Sequence, residues 1–507
     1  MTKMKNIAVF ITALAICSFS LMDDSKAAGF LVYDISAEAL AKGGAVSAAI
    51  ESPPAIWFNP SAMSFIPGYQ FSAGTVVVSS SNEFTPKDGG DPASSITSPI
   101  VIPHGYATFE ILDWMHAGIG LVSPFGLGIT WPEDWIGRDS SIYSSLRTMI
   151  VNPALSFKVW KNVSVAAGFS LIYGAVDIKN GIPEPIGGTV RVGGTTWAFG
   201  GNAAVTWRIF PDLLHAAFAY RSRATLNFDG KADFEPGAEE FAPILRDQEG
   251  KASINLPDVF TFGLMYRPIK PLAVTFDVNL TMWSVFDKLA LEFEHEETPD
   301  TILHRNWKNS FTVRLGFDYT LPIDPRYGKF QARMGFIFDE NPSPKETLAP
   351  SLPDATRLDL GLGAGYSYKW LSVDVGYLLV YFLPSESTTG QEGPEGTYRS
   401  MAHLMGLTLT GRFGTTRTPV SEEYHIPVIP EAEPEPKPEI APEPEHEPGE
   451  KPLSDTDDTV PPQMEDTEET EDSDDMDEGY DSDDTESHLE GNEDHDGDVY
   501  ESDEDYD

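Results

Sequence analysis

The feature that most constrains this chain is an alternation of apolar and polar side chains, which recurs in stretches of about nine to seventeen residues. In the clearest stretch, from Leu272 to Met282, every second residue is apolar, and the residues between them are Ala273, Thr275, Asp277, Asn279 and Thr281. Successive side chains of a β-strand point to opposite faces, whereas a helix would scatter these residues around its surface. We therefore predict strands with one face suited to lipid and the other to a watery lumen.

The connections between these stretches alternate in length along the chain. Short connections, such as 160–163 and 267–270, separate long ones, such as 82–103 and 230–256. Outer-membrane barrels have short periplasmic turns and long external loops, so the pattern also orients the protein. The prediction is an all-β fold, a 14-stranded antiparallel transmembrane β-barrel over residues 67–413, whose first strand starts in the periplasm.

The tryptophans are distributed as this orientation requires, because aromatic rings gather where hydrocarbon meets water. Four lie at short turns and five at or near the ends of long loops: Trp114, Trp160, Trp207 and Trp370, and then Trp131, Trp135, Trp197, Trp283 and Trp307. We predict two aromatic girdles from this distribution. A soluble antiparallel sandwich, the alternative, would explain neither the loop lengths nor the start of the chain.

Residues 1–27 are predicted to be an export signal. Two lysines precede an apolar run over about residues 7–22, and small residues surround a cleavage point after Ala27. Cys17, the sole cysteine, resembles a lipoprotein box, but Ile16 stands where a small residue is expected, so lipidation is a minor alternative. If the signal is removed, the mature chain has neither a disulfide nor a thiol nucleophile.

Two segments flank the predicted barrel. Residues 28–66, rich in Ser, Ala and Gly, are predicted to form an N-terminal hatch inside the lumen, because so wide a barrel would otherwise leak. Residues 414–507 are rich first in Pro and Glu and then in Asp and Glu, which predicts a disordered tail. An even number of strands would leave this tail in the periplasm.

Most of the chain's negative charge belongs to the predicted tail. From Ser421 onward there are 37 acidic residues and only two basic ones, which gives about −35 of the formal net charge of −45. Such a tail argues against nucleic acid as a partner, and it suits a weakly bound divalent cation or a basic periplasmic protein.

A series of short motifs follows in order along the chain, among them Ala28-Gly29-Phe30, Phe58-Asn59-Pro60-Ser61-Ala62, Pro124-Phe125-Gly126-Leu127 and Leu352-Pro353-Asp354. Together they resemble the long-chain fatty acid transporter family of outer-membrane proteins, the FadL type. The resemblance covers about Ala28 to Phe413. It implies a fourteen-stranded barrel closed by an N-terminal hatch, which takes up hydrophobic molecules by capture at external loops, binding in a pocket, a shift of the N-terminus and lateral release.

The resemblance also implies roles for particular residues. Phe30 would lie in or near the pocket, and the hatch turn Asn59-Pro60-Ser61 would border it, with Ser61 where family members usually have Ala. Gly118, Gly120 and Phe125 would lie at the lateral opening. Ordinary barrel curvature is the alternative explanation for the two glycines, since strand glycines often mark bends.

Charged side chains on the predicted lumen face are candidates for binding a carboxylate head group. By alternation these are Arg221, Arg223 and Arg314, and pairing with nearby acids is the alternative for each. The histidines are scattered, with no nucleophile-elbow pattern beside a serine, so we expect no catalysis, cofactor or catalytic metal.

The sequence therefore predicts a protein of the outer membrane of a Gram-negative bacterium, with hydrophobic ligands and outer-membrane lipid as its partners. Its first predicted substrate is a long-chain fatty acid, and aromatic hydrocarbons are the alternative. A general diffusion porin and a structural outer-membrane protein are further alternatives.

Overall fold

The computed structural model describes residues 29–32, 35–96, 98–295, 298, 300–388 and 393–414. The predicted export signal, with Cys17, and the acidic tail beyond Gly414 lie outside the described residues and stay predictions. Within the described residues, no helix is long and apolar enough to cross a membrane.

Fourteen antiparallel strands form the wall of a closed barrel, as predicted. The last strand pairs with the first from Tyr69 and Phe413 at one end to Pro86 and Gly396 at the other, which closes the sheet. The wall strands are β1 (Tyr69–Pro86), β3 (Ile100–Leu112), β4 (Met115–Val122), β6 (Tyr143–Trp160), β7 (Val163–Gly181), β8 (Gly188–Phe210), β9 (Leu214–Arg221), β12 (Val259–Ile269), β13 (Leu272–Thr281), β16 (Ser310–Thr320), β17 (Lys329–Asp339), β18 (Arg357–Tyr368), β19 (Leu371–Phe382) and β21 (Gly396–Phe413).

Seven further strands lie in the long connections of the described chain: β2 (Ala93–Ser94), β5 (Gly126–Thr130), β10 (Ala224–Pro236), β11 (Gln248–Leu256), β14 (Lys288–Phe293), β15 (Thr301–His304) and β20 (Ser385–Ser387). The hairpin of β10 and β11 pairs with β8 on one side and β14 on the other, so it raises the wall beyond the membrane. The sequence pattern predicts a loop over 230–256. Its outward side chains are polar because they face no lipid, and this hides the strand signal.

The two faces of the wall differ as the alternation predicts. On β13, Phe276 and Leu280 point outward and are 37% and 44% exposed, whereas Asp277 and Asn279 point inward and are each 1% exposed. The apolar face therefore suits lipid. The inward polar residues contact the N-terminal segment that fills the lumen.

Residues 35–66, called the hatch below, lie inside the barrel. They contain the short helices α1 (Ala37–Ala41) and α2 (Ala55–Phe58) and the 3-10 helix η1 (Pro60–Phe65). The Ser36 hydroxyl accepts a hydrogen bond from Ala39 N–H and so caps α1. Four further 3-10 helices lie in the connections: η2 (Glu239–Phe241), η3 (Trp283–Val285), η4 (Pro325–Tyr327) and η5 (Lys345–Thr347).

A groove of lumen-facing glycines receives α1 and the turn that follows it. A Cβ atom at Gly335 would lie 2.1 Å from the Lys42 carbonyl carbon, and one at Gly376 would lie 2.4 Å from the Ala37 carbonyl oxygen. A larger residue at either of these two positions would push the hatch backbone away from the wall. The groove consists of Gly316, Gly335, Gly361, Gly363, Gly376 and Gly406.

A buried ionic cluster holds the same part of the hatch to the wall. Lys42 Nζ lies 2.8 Å from Glu38 Oε1 and 3.9 Å from Asp318 Oδ2. Arg333 continues the cluster, with Nε 3.0 Å from Asp318 Oδ2 and Nη1 2.5 Å from Asp374 Oδ1. The Lys42 to Asp318 pair joins the hatch to the wall, and withdrawal of the hatch would leave Asp318 and Asp374 buried with Arg333 shared between them, which is unfavourable.

The prediction of two tryptophan girdles is wrong for most of the tryptophans at the long loops. Trp114, Trp160, Trp207 and Trp370 are more than half exposed at the short-turn edge, as a girdle requires, and so is Trp197 at the other edge. The remaining four are at most 5% exposed, because loop segments fold inward over the barrel mouth and bury their rings: Trp131, Trp135, Trp283 and Trp307.

Arg223 does not point into the lumen as its position in the alternation predicts. Strand β9 ends at Arg221, and this break in the ladder turns the next arginine outward, where its side chain is 69% exposed and pairs with Asp258.

Candidate ligand-binding site

The Phe30 ring occupies the centre of an aromatic cage near the external end of the lumen. The cage consists of Phe125, Trp283, Phe286 and Trp307, whose ring centroids lie 6.2, 4.8, 5.4 and 6.0 Å from that of Phe30. Trp283 and Phe286 present edge-to-face contacts, which are a favoured geometry for aromatic pairs. Phe30 is 2% exposed, so its ring fills a site that could hold another apolar group of similar size.

Residues 29–32, called the tip below, hold Phe30 in the cage through a short stretch of pairing. Leu31 forms an isolated antiparallel bridge with Phe125. Val32 N–H donates to Pro124 O at 2.6 Å, and Gly126 N–H donates to Phe30 O at 2.9 Å. The tip is thus bound to the segment that connects β4 to β5.

Gly29 brings the tip against a buried carboxylate of a distant loop. Its N–H donates to Asp354 Oδ2 at 2.8 Å, and its φ of +55° belongs to the left-handed region that favours glycine. A Cβ at this position would lie 2.5 Å from the Trp283 ring. Burial raises the pKa of the Asp354 carboxyl to about 7, although the Gly29 N–H bond and Arg357 act in the opposite direction.

A second space, called the cavity below, adjoins the aromatic cage and measures about 550 Å³ together with its opening to solvent. Leu31 and Phe125 line it at the cage side, together with Trp57 and Phe58 of the hatch. The rest of the lining is mostly polar and includes Asn202, Arg221, Thr261, Asp277, Asn279 and Arg314, with the apolar Ala219 and Val259 among them. The cavity therefore joins an apolar half to a polar half, as an amphiphile requires.

Two of the three arginines predicted to face the lumen, Arg221 and Arg314, line this cavity together. Arg221 stacks on the Trp57 ring, with its guanidinium carbon 3.5 Å from the ring centroid, and donates to Trp57 O at 3.0 Å. Arg314 is 2% exposed and faces Asp277 across the ladder between β13 and β16. The amide oxygens of Asn202 and Asn279 are buried with no hydrogen-bond partner within the described residues. These two oxygens can accept a hydrogen bond from a ligand donor such as a hydroxyl, but not from an ionised carboxylate.

The turn Asn59-Pro60-Ser61 borders the cavity through Pro60. Asn59 Nδ2 donates to Ser47 O at 2.6 Å and to Thr206 Oγ1 at 2.8 Å, while its Oδ1 lies 2.6 Å from the donating Ser61 hydroxyl. Pro60 begins η1 and lines the cavity. The Ser61 hydroxyl also lies 2.7 Å from Thr206 Oγ1, so the departure from alanine adds a contact to the wall.

The barrel wall is interrupted beside the tip. Strand β3 pairs with β4 only as far as Gly105 and Leu121, although it remains paired with β1 up to Ile100. Beyond this point the chain turns inward to meet the tip, and the wall closes again where Ile96 N–H donates to Thr130 O at 2.8 Å. We call this interruption the window.

Gly118 and Gly120 lie below the window, in the regular ladder between β3 and β6. A Cβ at Gly118 would lie 2.5 Å from Met63 Sδ of the hatch, so this glycine makes room for the hatch. The predicted role of both glycines at a lateral opening stays a prediction. Phe125 belongs to the inward turn that forms one side of the window.

Sequence reasoning missed Trp283, Phe286, Trp307 and Asp354 as residues of the site. Trp283 and Trp307 were predicted to belong to an aromatic girdle, and Phe286 was assigned no role. The Gly29 to Asp354 bond joins residues 325 apart in the chain, so no local pattern could reveal it. The Leu352-Pro353-Asp354 motif was the available signal.

Comparisons with known proteins agree with this architecture. The family model for outer membrane protein transport proteins, OMPP1/FadL/TodX, matches residues 20–413. The long-chain fatty acid transport protein of Salmonella typhi is 24% identical over 418 residues, which are 76% of this chain and 93% of that protein. That of Escherichia coli K12 is 23% identical over 429 residues, with 76% and 94% covered.

Solved structures share the fold at low sequence identity. The crystal structure of a FadL homologue from Pseudomonas aeruginosa matches with a TM-score of 0.69 and 21% identity, over 76% of this chain and 100% of that one. The toluene transporter TodX of P. putida matches with a TM-score of 0.62 and 17% identity, over 75% and 98%.

Proposed function

This chain belongs to the OMPP1/FadL/TodX family of outer-membrane transport proteins, and we propose that its substrate is a long-chain fatty acid. Members of the family are transport channels of the outer membrane and not enzymes, and they carry hydrophobic compounds. The relatives from Salmonella typhi and Escherichia coli are long-chain fatty acid transport proteins, which supports the proposal.

The observation that carries the proposal is the junction between the aromatic cage and the cavity. The cage offers an apolar site that Phe30 fills, and Leu31 and Phe125 lead from it into the cavity. An acyl chain that replaced Phe30 would gain about 0.8 kcal/mol for each methylene it buried. Burial of apolar surface alone provides the binding affinity in such a site.

The polar half of the cavity supplies the contacts for a carboxylate head group. Arg221 and Arg314, whose guanidinium groups only donate, line it. A guanidinium presents donors in a planar fork that matches a carboxylate. The arginines therefore favour an anionic amphiphile over an uncharged hydrocarbon.

In the proposed cycle the tip withdraws from the cage, the acyl chain takes its place, and the ligand leaves through the window beside Phe125. Asn59, Pro60 and Ser61 keep the hatch seated while the tip moves. Gly118 and Gly120 keep the wall below the window close to the hatch, so that the free route is the window itself.

An aromatic hydrocarbon is the second candidate substrate, because Trp283 and Phe286 pack edge-to-face with the Phe30 ring. A monoaromatic ring fits that geometry and has no use for the polar half of the cavity. The fold shared with a toluene transporter is consistent with this candidate but shows the fold alone.

Uptake of radiolabelled oleate and toluene by Gram-negative cells without their own transporter tests the choice. The variant Arg314→Met should lower oleate uptake at least about tenfold and leave toluene uptake unchanged, because a carboxylate loses a charged hydrogen-bond partner of roughly 1.5–3 kcal/mol. Arg223→Met, at an exposed arginine outside the lumen, is the matched control.

Two results would contradict the proposal. Toluene uptake without oleate uptake would identify a hydrocarbon channel. Entry of small hydrophilic solutes with neither substrate would identify a diffusion porin.

We also propose that the acidic tail lies in the periplasm. The described chain ends at Gly414, directly after β21, at the edge of the barrel that carries the short turns and the four exposed tryptophans. Short turns face the periplasm in outer-membrane barrels.

A further inference from the structure

Two buried amide groups line the cavity, and the oxygen of each has no hydrogen-bond partner among the described residues. They belong to Asn202 on β8 and Asn279 on β13. A Cβ at Gly168 would lie 2.6 Å from Asn202 Oδ1, so this oxygen lies against β7, whose residues are not among those that line the cavity. Asn279 is therefore the better placed of the two to meet a ligand.

The strand neighbours of Asn279 leave its amide oxygen without a donor. Its ladder partners are Thr261 on β12, which also lines the cavity, and Thr312 on β16. The Thr312 hydroxyl donates to Asp339 Oδ1 at 2.7 Å, so its proton is engaged elsewhere. Asn279 is 1% exposed, and a buried acceptor without a donor is unfavourable. A ligand that supplies a donor here therefore gains affinity beyond that of its apolar surface.

The charges of the lining indicate which kind of donor suits Asn279. An ionised carboxylate has no proton to donate, and an ammonium group would be repelled by the guanidinium groups of Arg221 and Arg314. Asp277, the acid beside Asn279 on β13, already accepts two backbone hydrogen bonds from the hatch through Oδ2. A neutral hydroxyl remains. It both donates and accepts, so it suits the amide in either orientation of its oxygen and nitrogen.

The distance between Asn279 and Arg314 indicates where on the ligand this hydroxyl belongs. Arg314 is the diagonal neighbour of Asn279 across the ladder between β13 and β16, which corresponds to about 7–8 Å. A carboxylate held by Arg314 therefore brings the first carbons of its acyl chain to Asn279. A hydroxyl at the far end of the chain would instead enter the aromatic cage and lose the hydrogen bonds that it made with water.

We propose that Asn279 makes the cavity selective for fatty acids that carry a hydroxyl group close to the carboxylate. This inference rests on the proposed function and narrows its substrate class. The arginines bind the carboxylate, and Asn279 Oδ1 accepts the hydroxyl proton. Asn279 is thus a specificity-determining residue, because an unsubstituted fatty acid leaves its oxygen without a donor.

Three ligands of equal chain length separate this selectivity from general affinity. Palmitate lacks a hydroxyl, β-hydroxypalmitate carries one close to the carboxylate, and ω-hydroxypalmitate carries one at the far end. Each competes with radiolabelled palmitate for the purified full-length protein in detergent. The measured quantity is the half-displacing concentration of each hydroxylated ligand relative to that of palmitate. This ratio is compared between variants, so that the partition of a ligand into micelles cancels.

Two substitutions remove the amide: Asn279→Leu is similar in size, and Asn279→Val supplies a β-branched residue that suits a strand. We expect the relative preference for β-hydroxypalmitate to fall roughly threefold to tenfold in both, the effect of one lost hydrogen bond. The ratio for ω-hydroxypalmitate should stay native. Asn227→Leu, at an exposed asparagine of β10 that accepts from Ser253, is the matched control and should keep both ratios.

The inference is overturned if both Asn279 variants keep the native preference for β-hydroxypalmitate, or if the ratios for the two hydroxylated ligands fall together. Failure of the proposed function looks different. In that case the native chain binds no labelled palmitate, and the inference falls with it. If palmitate binds and Arg314→Met weakens it, while the Asn279 variants leave the ratios unchanged, the proposed function stands and only this inference fails.

Discussion

The hatch and the tip are neighbouring parts of one N-terminal segment, yet they are bound to the barrel in different ways. The hatch lies in a glycine groove and takes part in a buried ionic cluster through Glu38 and Lys42. The tip is held by one β-bridge, a few backbone hydrogen bonds and the Phe30 ring. The difference indicates which part can move: the tip can leave without breaking an ion pair, whereas withdrawal of the hatch separates Lys42 from Asp318.

The largest effect should come from breaking the ionic cluster. Lys42→Met leaves Glu38 without its nearest cation, while Asp318 keeps Arg333, and should lower the free energy of unfolding by about 3–5 kcal/mol. Thermal unfolding of the purified barrel in detergent measures this loss. Lys87→Met, which removes an exposed ion pair with Glu395, is the control and should change little. Equal effects of both variants would mean that the cluster does not anchor the hatch.

Filling the glycine groove should have the next largest effect. Gly335→Ala places a methyl group against the backbone of Lys42 and should cost about 1–3 kcal/mol by overpacking. Gly193→Ala is the matched control, because the nearest atom to its Cβ would be 3.7 Å away. The midpoint of unfolding in denaturant distinguishes the two. A native-like midpoint for Gly335→Ala would show that the hatch is not tightly seated.

The tip should respond to pH through Asp354. With the tip in place, burial raises the pKa of this carboxyl to about 7, and withdrawal exposes it to water and returns the pKa toward its ordinary value. The contact between the tip and Asp354 is therefore strongest when the pH lies below the ordinary pKa of the carboxyl. It weakens as the pH rises through about 7. Modification of Leu31→Cys by maleimide should become roughly tenfold faster between pH 5 and pH 8, beyond the change at an exposed Thr225→Cys control.

The variant Asp354→Asn provides the check on that pH effect. It removes the carboxyl group that titrates. The rate of Leu31→Cys modification, corrected for the change at the Thr225→Cys control, should then no longer depend on pH. A persistent pH dependence would assign it to another group.

The smallest effect concerns the hatch turn. Ser61→Ala removes the hydroxyl that contacts Asn59 and Thr206, so the free energy of unfolding should fall by about 0.5–1.5 kcal/mol while oleate uptake stays native. Calorimetry of the purified protein measures the loss of stability, and an uptake assay on the same variant measures transport. Loss of uptake without loss of stability would give Ser61 a direct part in transport.

The barrel could be predicted from the sequence because every wall strand needs apolar side chains on the face toward lipid. Phe276, which points outward, and Asp277, which points inward, follow this rule. The rule fails where lipid is absent. The hairpin of β10 and β11 was read as a loop, and Trp283 and Trp307 were assigned to a girdle although they line the cage. Arg223 was turned outward by a break in the ladder that alternation alone does not reveal.

The candidate site was predictable only in part for a similar reason. Phe30 and the Asn59-Pro60-Ser61 turn came from motifs, and Arg221 and Arg314 came from alternation. Asp354 reaches Gly29 only because the folded barrel brings its loop to the tip, so the contact could not be predicted from the sequence. The lumen-facing glycines, such as Gly335 and Gly376, were visible in the sequence and would have signalled a backbone packed against the wall.

The most direct test of the account locks each part of the N-terminal segment with a disulfide. Leu31 and Phe125 are bridge partners, so a cysteine pair there suits a disulfide and fixes the tip. A Cβ at Gly406 would lie 3.4 Å from that of Ala37, so a second pair fixes the hatch. The only native cysteine, Cys17, belongs to the predicted export signal.

Oleate uptake should then be measured for each pair before and after reduction. The account predicts that the oxidised tip lock stops uptake, that reduction restores it, and that the hatch lock has no effect in either state. Uptake that continues with the tip locked, or stops with only the hatch locked, would contradict the account.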